Sequence, residues 1–364
     1  MSEVIVVGGG AAGMMAAIAA ADCGHQVTII EKNEKLGKKL FITGKGRCNI
    51  TNDSDVENHL NHVISNPKFM YSAFYSFDSS RMIDFLEQEG LAVKTERGNR
   101  VFPQSDKSSD VLQTLQKALR RRNVTVRLHT KMTGLMIEDH ICKGVKVQSY
   151  HGALETLAAD DVILTTGGLA YPSTGSTGDG QRLLKQAGVA LEPCYPALVP
   201  VETVEEWPIR LQGLSLRNVS LRVERGSHKI YEEQGEMLFT HFGVSGPLVL
   251  SASSLLGRKG AKDCKLHIDL KPALSEEQLD ERLQRDFAAQ KNSMFKNSLG
   301  KLLPSKLIPV IVELSEITPD KQVNEVTRQE RHRLVKLCKD LTCTVKKLRD
   351  FPEAIVTGGG ISVK

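Results

Sequence analysis

The sequence contains no C-x-x-C pair, and its seven cysteines, at positions 23, 48, 142, 194, 264, 338 and 343, are scattered and odd in number. This pattern excludes a disulfide framework and a paired-thiol redox centre, and it suits free thiols in a reducing compartment. Ten histidines occur without H-x-x-x-H or mixed Cys/His spacing, so no metal site is expected. Aromatic residues are sparse, at 5%, and the formal charge is only +5. The basic residues are dispersed rather than interleaved with rings, so no nucleic-acid partner is expected. The run Arg120-Arg121-Arg122 reads as the cationic end of a surface helix. Residues 4–21 are the one apolar run of near-spanning length. A glycine cluster breaks it, and Glu3 precedes it where a signal peptide carries positive charge. No membrane partner and a cytoplasmic location are therefore expected.

What the chain does have begins at residue 4. Val4-Ile5-Val6-Val7 is followed by Gly8-Gly9-Gly10-Ala11-Ala12-Gly13, an alanine-rich stretch, and Val27-Thr28-Ile29-Ile30-Glu31. This order of strand, G-x-G-x-x-G turn, helix, second strand and terminal acid is the fingerprint of an adenine-dinucleotide site. Gly8 permits the tight turn, Gly10 lets the backbone approach a pyrophosphate, and Gly13 lets the helix lie close to the sheet. The pyrophosphate is expected on the helix N-terminus, where unpaired N–H groups favour an anion. Glu31 stands where an acid accepts hydrogen bonds from ribose hydroxyls.

The next stretch, residues 32–52, mixes cations (Lys32, Lys39, Arg47) with Gly44, Gly46 and short polar residues, the chemistry of a loop against a phosphate-bearing ligand. Arg47 is a candidate to neutralise the pyrophosphate, and Asn49 and Asn52 to contact cofactor or substrate. Helices are expected over 66–90 and 109–122, and strands over 124–128, 132–138 and 144–148. Asp161 to Gly168 reads as a buried strand entering a glycine turn, which brings backbone N–H groups to a cofactor. A polar, glycine-dense loop spans Tyr171 to Gly180. Strand patterns at 199–204, 216–223, 229–231 and 266–270 mark an antiparallel β unit, and residues 275–350 read mainly as helices. Ala354 to Gly360 returns to strand followed by glycines. The expected fold class is α/β: a Rossmann-like doubly wound parallel sheet, residues 1–192 and 351–364, interrupted by a β domain at 193–274 and a helical subdomain at 275–350.

Five passages together resemble the BaiN-like family of bacterial FAD-containing flavoproteins, the NAD(P)/FAD-dependent oxidoreductases. They are Gly8 to Glu31, Thr43 to Asn52, Thr166-Gly167-Gly168 with Tyr171 to Gly180, Gly235 to Pro247, and Val356 to Gly360. The resemblance spans essentially the whole chain. It implies FAD as cofactor, with the inserted units covering the flavin ring, and a further closing passage, so the C-terminal part of the FAD-binding domain is expected to be truncated here. The candidate cofactor residues are Gly8, Gly10, Ala12, Gly13, Glu31, Lys32, Lys39, Thr43, Gly46, Arg47, Cys48, Asn49, Met132, Thr166, Gly167 and Gly168.

Only one dinucleotide fingerprint occurs, since Gly175-Ser176-Thr177-Gly178 and Gly243-Val244-Ser245-Gly246 lack the flanking strand and helix. NAD(P)H is thus expected to act as a transient donor at the flavin face. His241 and Tyr171 are the candidate proton donors. The leading expectation is hydride transfer through flavin N5 to a small organic substrate. An oxygen-reoxidised amine or amino-ketone oxidase and a non-catalytic flavin-binding remnant are the alternatives.

Overall fold

Val4 to Val7 are all buried and form most of β1 (Glu3–Val7) in the computed structural model, which describes residues 1–363. The chain continues through α1 (Ala11–Asp22) into β2 (Gln26–Ile30), which pairs in parallel with β1. Asp161–Leu164 adds to the other edge of β1 and Thr125–Arg127 to β2, giving a parallel four-stranded sheet. Its central strand β1 carries a continuous apolar run because both of its faces are covered. Val4, Val6 and Ile29 point to one face and pack on Met14, Ala17 and Ile18 of α1 and on Val111, Leu115 and Leu119 of the helix Ser108–Arg121. Ile5, Val7 and Ile30 point to the other and pack on Met132, Val145 and Val147. Those residues belong to an antiparallel meander of Thr130–Glu138, Ile141–Ser149 and Leu154–Ala158. The period-2 alternation of side chains along β1 therefore supplies both cores at once.

The chain divides into two compact units, Met1–Cys194 with the segment from Gly359 onward, and Tyr195–Gly358. The second unit is a closed barrel in the order Val201–Thr203, Gly243–Ser245, His228–Thr240, Ser215–Arg225, Cys264–Asp269 and Leu341–Leu348. This differs from the expected division into a β domain ending at 274 and a separate helical subdomain at 275–350. Leu341–Leu348 pairs with both Val201–Thr203 and Cys264–Asp269 and closes the barrel. Barrel residues such as Leu221 and Leu266 share one core with Leu279 and Leu283 of Glu276–Ala288 and with Leu334 and Val335 of Arg328–Lys339. One core makes one unit. Capping boxes at Ser275 with Gln278 and Thr327 with Glu330 start those two helices, satisfying N–H groups that have no intrahelical partner. The strand Val356–Ile361 runs through the glycines that were expected to follow it.

Trp207, the single tryptophan, is buried with its ring 5.9 Å from that of Phe239 inside this core. Its emission therefore reports unfolding of the second unit. Leu221 is fully buried, and Leu221→Ala is expected to cost about 3 kcal/mol, lowering the denaturant midpoint followed by tryptophan fluorescence.

Candidate functional site

At the C-terminal end of the parallel sheet a cavity of about 300 Å3 opens, lined by the Gly8 to Ala12 turn, the residues after β2, the segment Gly37 to Thr43, Thr130 to Met132, Thr165 to Gly167 and the loop Thr174 to Asp179. This is the position at which open α/β sheets bind ligands. Gly8 has φ +107°, and a Cβ there would stand 2.4 Å from the Thr165 carbonyl oxygen. Gly13 lies so close to the preceding turn that a Cβ would stand 1.8 Å from the Gly8 carbonyl oxygen. Gly10 is the N-cap of α1, has no side chain to cap the helix, and would place a Cβ in open space. The helix start thus faces the cavity with backbone N–H groups and no acidic residue in its first turn, an anion seat.

Glu31 ends β2 almost fully buried. Its Oε2 accepts from the Gly9 N–H at 2.7 Å, and its Oε1 accepts from the Asn33 N–H at 2.8 Å and from Asn33 Nδ2 at 2.7 Å. The carboxylate therefore fixes both the glycine turn and the chain that leaves β2. Lys39 Nζ donates to the Ala170 carbonyl at 2.8 Å. Burial holds the Lys39 ammonium below the ordinary lysine pKa, and no carboxylate lies within ion-pair distance of it among the described residues. A half-buried cation of this kind beside an anion seat favours a negatively charged ligand.

Ten candidate residues come together on the cavity wall: Gly8, Gly10, Ala12, Glu31, Lys32, Lys39, Thr43, Met132, Thr166 and Gly167. Gly13 stands behind the wall as the packing contact between helix and turn. Gly46, Arg47, Cys48, Asn49 and Gly168 are not among the lining residues. Arg47, expected at the pyrophosphate, is bound elsewhere: Nη2 contacts Glu96 Oε1 and Asp106 Oδ1, each at 2.5 Å, and the guanidinium stacks 4.1 Å from the Phe102 ring centroid. Two carboxylates already balance its charge. The correction is that lysines rather than Arg47 bring cations to the wall, Lys39 among them without a carboxylate partner in the described residues. Cys48 is buried, and burial pushes its thiol up to about 11, so it is a packed thiol at neutral pH. Asn52 donates to the Gly98 carbonyl. Tyr171 has φ +51° before a short turn in the first unit. His241 belongs to the second unit, exposed in the turn between His228–Thr240 and Gly243–Ser245, with its ring edge against Phe242.

Sequence reasoning missed Asn33, Lys131, Thr174 and Asp179, all on the wall. The one signal available for the last two was the glycine density of Tyr171 to Gly180. Among the described residues no cluster of metal-ligating side chains converges, and no helix is long and apolar enough to cross a membrane.

The fold and the cavity together define a Rossmann protein with a dinucleotide site. The chain belongs to the HI0933-like family of FAD-type oxidoreductases: the family described as HI0933-like protein Rossmann domain matches residues 2–364. It is 31% identical over 365 residues to the 3-dehydro-bile acid delta(4,6)-reductase of Clostridium scindens, covering 99% of this chain and 87% of that protein. It is 28% identical over 365 residues to the ribosomal RNA dihydrouridine synthase of Escherichia coli, covering 99% of this chain and 85% of that protein. The enzyme of the same name from Haemophilus influenzae is 26% identical over 364 residues, covering 100% and 86%. The exclusion of nucleic acid, drawn from dispersed basic residues, does not hold for the family, since two relatives are named for ribosomal RNA.

Proposed function

We propose that this chain is an FAD-dependent reductase that saturates an electron-poor carbon–carbon double bond conjugated to a carbonyl, with reduced nicotinamide as the electron source. The observation that carries the cofactor assignment is the open space at Gly10 on the N-terminus of α1, facing a cavity whose wall also carries Glu31, bonded to the neighbouring Gly9 N–H. That cradle fits an adenine dinucleotide: backbone N–H groups for the pyrophosphate, a carboxylate for the ribose and Lys39 for the remaining negative charge. The substrate class is supported by the relatives' names. A 3-oxo compound with double bonds at positions 4 and 6 and the uracil ring of uridine share a C=C conjugated to a carbonyl.

When bound, FAD supplies a two-electron carrier that accepts hydride from NADH or NADPH and delivers it to the substrate. One proton from the protein or solvent then completes the addition, so that NAD(P)H, H+ and the alkene become NAD(P)+ and the alkane. Tyr171 and His241 remain the proposed proton donors. The test is anaerobic stopped-flow on FAD-loaded protein. Bleaching of the flavin bands by NADH or NADPH, followed by reoxidation on addition of a 4,6-dien-3-one steroid acid or uridine-containing ribosomal RNA, is the expected result, and the acceptor that works names the substrate. Bleaching by an amine and not by a nicotinamide would replace this reading with that of an oxidase. Tyr171→Phe and His241→Gln in the same assay separate loss of proton delivery from loss of flavin reduction.

Lys39→Met is expected to leave the thermal midpoint of the ligand-free protein unchanged or slightly raised, because a desolvated charge held by one carbonyl is removed. FAD binding should weaken about tenfold in the variant, the scale of one charge-assisted contact. Because burial holds the lysine's pKa below its ordinary value, binding to the unsubstituted protein should also weaken as the pH rises through that lowered value, before the ordinary lysine range is reached. Fluorescence titration of FAD against pH checks both, and the Lys39→Met protein should lack the alkaline decline.

A further inference from the structure

The segment Tyr171 to Asp179 forms part of the cavity wall and is tied to the opposite rim by side chains. Lys32, the residue after Glu31, donates from Nζ to Asp179 Oδ2 and to Thr177 Oγ1, each at 2.6 Å. Asn33, the next residue, donates from Nδ2 to the Thr174 carbonyl at 3.2 Å. At the segment's start, Lys39 Nζ holds the Ala170 carbonyl at 2.8 Å. Several of the segment's backbone bonds are local, from Thr174 N–H to Tyr171 O, Gly175 N–H to Pro172 O and Thr177 N–H to Gly175 O.

The segment also lies flat against the rim. Gly175, at φ +104°, would place a Cβ 2.6 Å from Asn33 Nδ2 and 3.3 Å from Lys32 Cε. On the inner side, a Cβ on Gly167 would meet Ser176 Oγ at 2.7 Å. Gly175 and Gly178 both have positive φ, so the backbone has conformations open to it that other residues would resist. The Lys32 and Asp179 side chains are 26% and 17% exposed, intermediate between a solvated pair and a buried one. Burial raises the Asp179 carboxyl pKa, but the bonds from Lys32 and Thr177 outweigh it and hold the group below its ordinary value, so the carboxylate stays ionised at neutral pH.

We propose that the Thr174 to Asp179 part of this segment is a strap across the adenosine end of the FAD site, fastened by Lys32 to Asp179 and Thr177 and by Asn33 to Thr174, and that cofactor exchange waits on its release. The proposal rests on the FAD reading above. Its physical content is kinetic: the fastening sits beside the ribose acid, so the adenosine cannot leave along that rim while the strap is down. Loosening the fastening speeds capture and release together and changes the equilibrium affinity less than either rate.

The test is FAD release from the loaded full-length protein, followed by the rise of flavin fluorescence on dilution, with capture measured by stopped-flow quenching. Lys32→Met and Asp179→Asn are each expected to release and capture FAD about fivefold faster, the scale of one partly exposed ion pair. The double variant should be no faster than either single one, because both remove the same fastening. Lys32→Arg, which keeps the cation, should stay near the unsubstituted rates. Amide hydrogen exchange of 171–178 in the ligand-free protein should rise in Lys32→Met, a readout that needs no cofactor. Unchanged rates with unchanged exchange would overturn the strap while leaving FAD binding in place. Additive acceleration in the double variant, or faster release with slower capture, would overturn it in favour of separate direct contacts with the cofactor. Failure of the unsubstituted chain to take up FAD would instead remove the reading on which the strap stands.

Discussion

Gly13→Ala is expected to lose the folded nucleotide turn, whereas Gly10→Ala keeps the fold and loses the cofactor. At Gly13 a new methyl would sit 1.8 Å from the Gly8 carbonyl oxygen and 2.7 Å from Thr165 Oγ1. Neither neighbour can yield cheaply. The Gly8 carbonyl is backbone, and it accepts a hydrogen bond from Thr165 Oγ1 at 2.8 Å, which also bonds the Val7 carbonyl. The helix must therefore move off the sheet, at a cost of about 3 kcal/mol or more, the upper end for overpacking. A fall in the thermal midpoint of the ligand-free protein, followed by circular dichroism, checks this. Gly10 has φ −77° and ψ −173°, a conformation any residue adopts, and an added methyl meets nothing within 4 Å. Its stability should stay the same or rise by about 0.5 kcal/mol, as for alanine replacing glycine at a compatible site. The methyl fills the space assigned to the pyrophosphate, so FAD affinity should fall on the order of 100-fold, the cost of an unrelieved steric conflict. A Gly10→Ala protein that binds FAD normally would remove the cofactor from this helix.

Glu31→Ala has the second largest expected effect because the carboxylate serves the fold before any ligand arrives. The substitution leaves the Gly9 N–H, the Asn33 N–H and Asn33 Nδ2 without the acceptor they now share. Buried donors left unpaired cost about 1–3 kcal/mol each where water cannot reach them. Asn33 is better placed to find water than Gly9, so a net loss of about 3 kcal/mol is expected from the denaturant midpoint. Glu31→Gln keeps one acceptor oxygen for the Asn33 donors but turns an NH2 group toward Gly9 N–H, or the reverse. It should fall between the alanine variant and the unsubstituted protein in stability, yet bind FAD at least about tenfold more weakly, having lost the charged acceptor for ribose hydroxyls. Agreement of the two variants in stability would argue that the Gly9 contact contributes little.

The first two strands of the parallel sheet were legible because their signals are local. Val4 to Val7, the glycines and Glu31 are contiguous or regularly spaced, and each constrains only its near neighbours. The same holds for the helix Ser108–Arg121, whose Val111, Leu115 and Leu119 stripe was visible at helical spacing. Leu341–Leu348 was not legible as a barrel strand. It follows the helix Arg328–Lys339 after a single residue and includes Lys346 and Lys347. Its buried positions Leu341, Cys343 and Val345 acquire meaning only from partners near residues 201 and 266. Arg47 was misplaced for the same reason. A cation in a glycine-rich loop suits a phosphate, and nothing nearby in the sequence discloses that Glu96 and Asp106 reach it first.

By itself, then, the sequence determined that a dinucleotide site opens this chain, because glycine geometry, helix start and terminal acid lie within 31 residues of the N-terminus and act through short-range sterics and dipoles. Only the tertiary structure decided which cations line the cavity, that barrel and helices form one core, and that Lys32 and Asp179, 147 positions apart, meet at the rim. Those outcomes depend on long-range pairing, where a side chain's role is set by which distant partner the fold brings within reach.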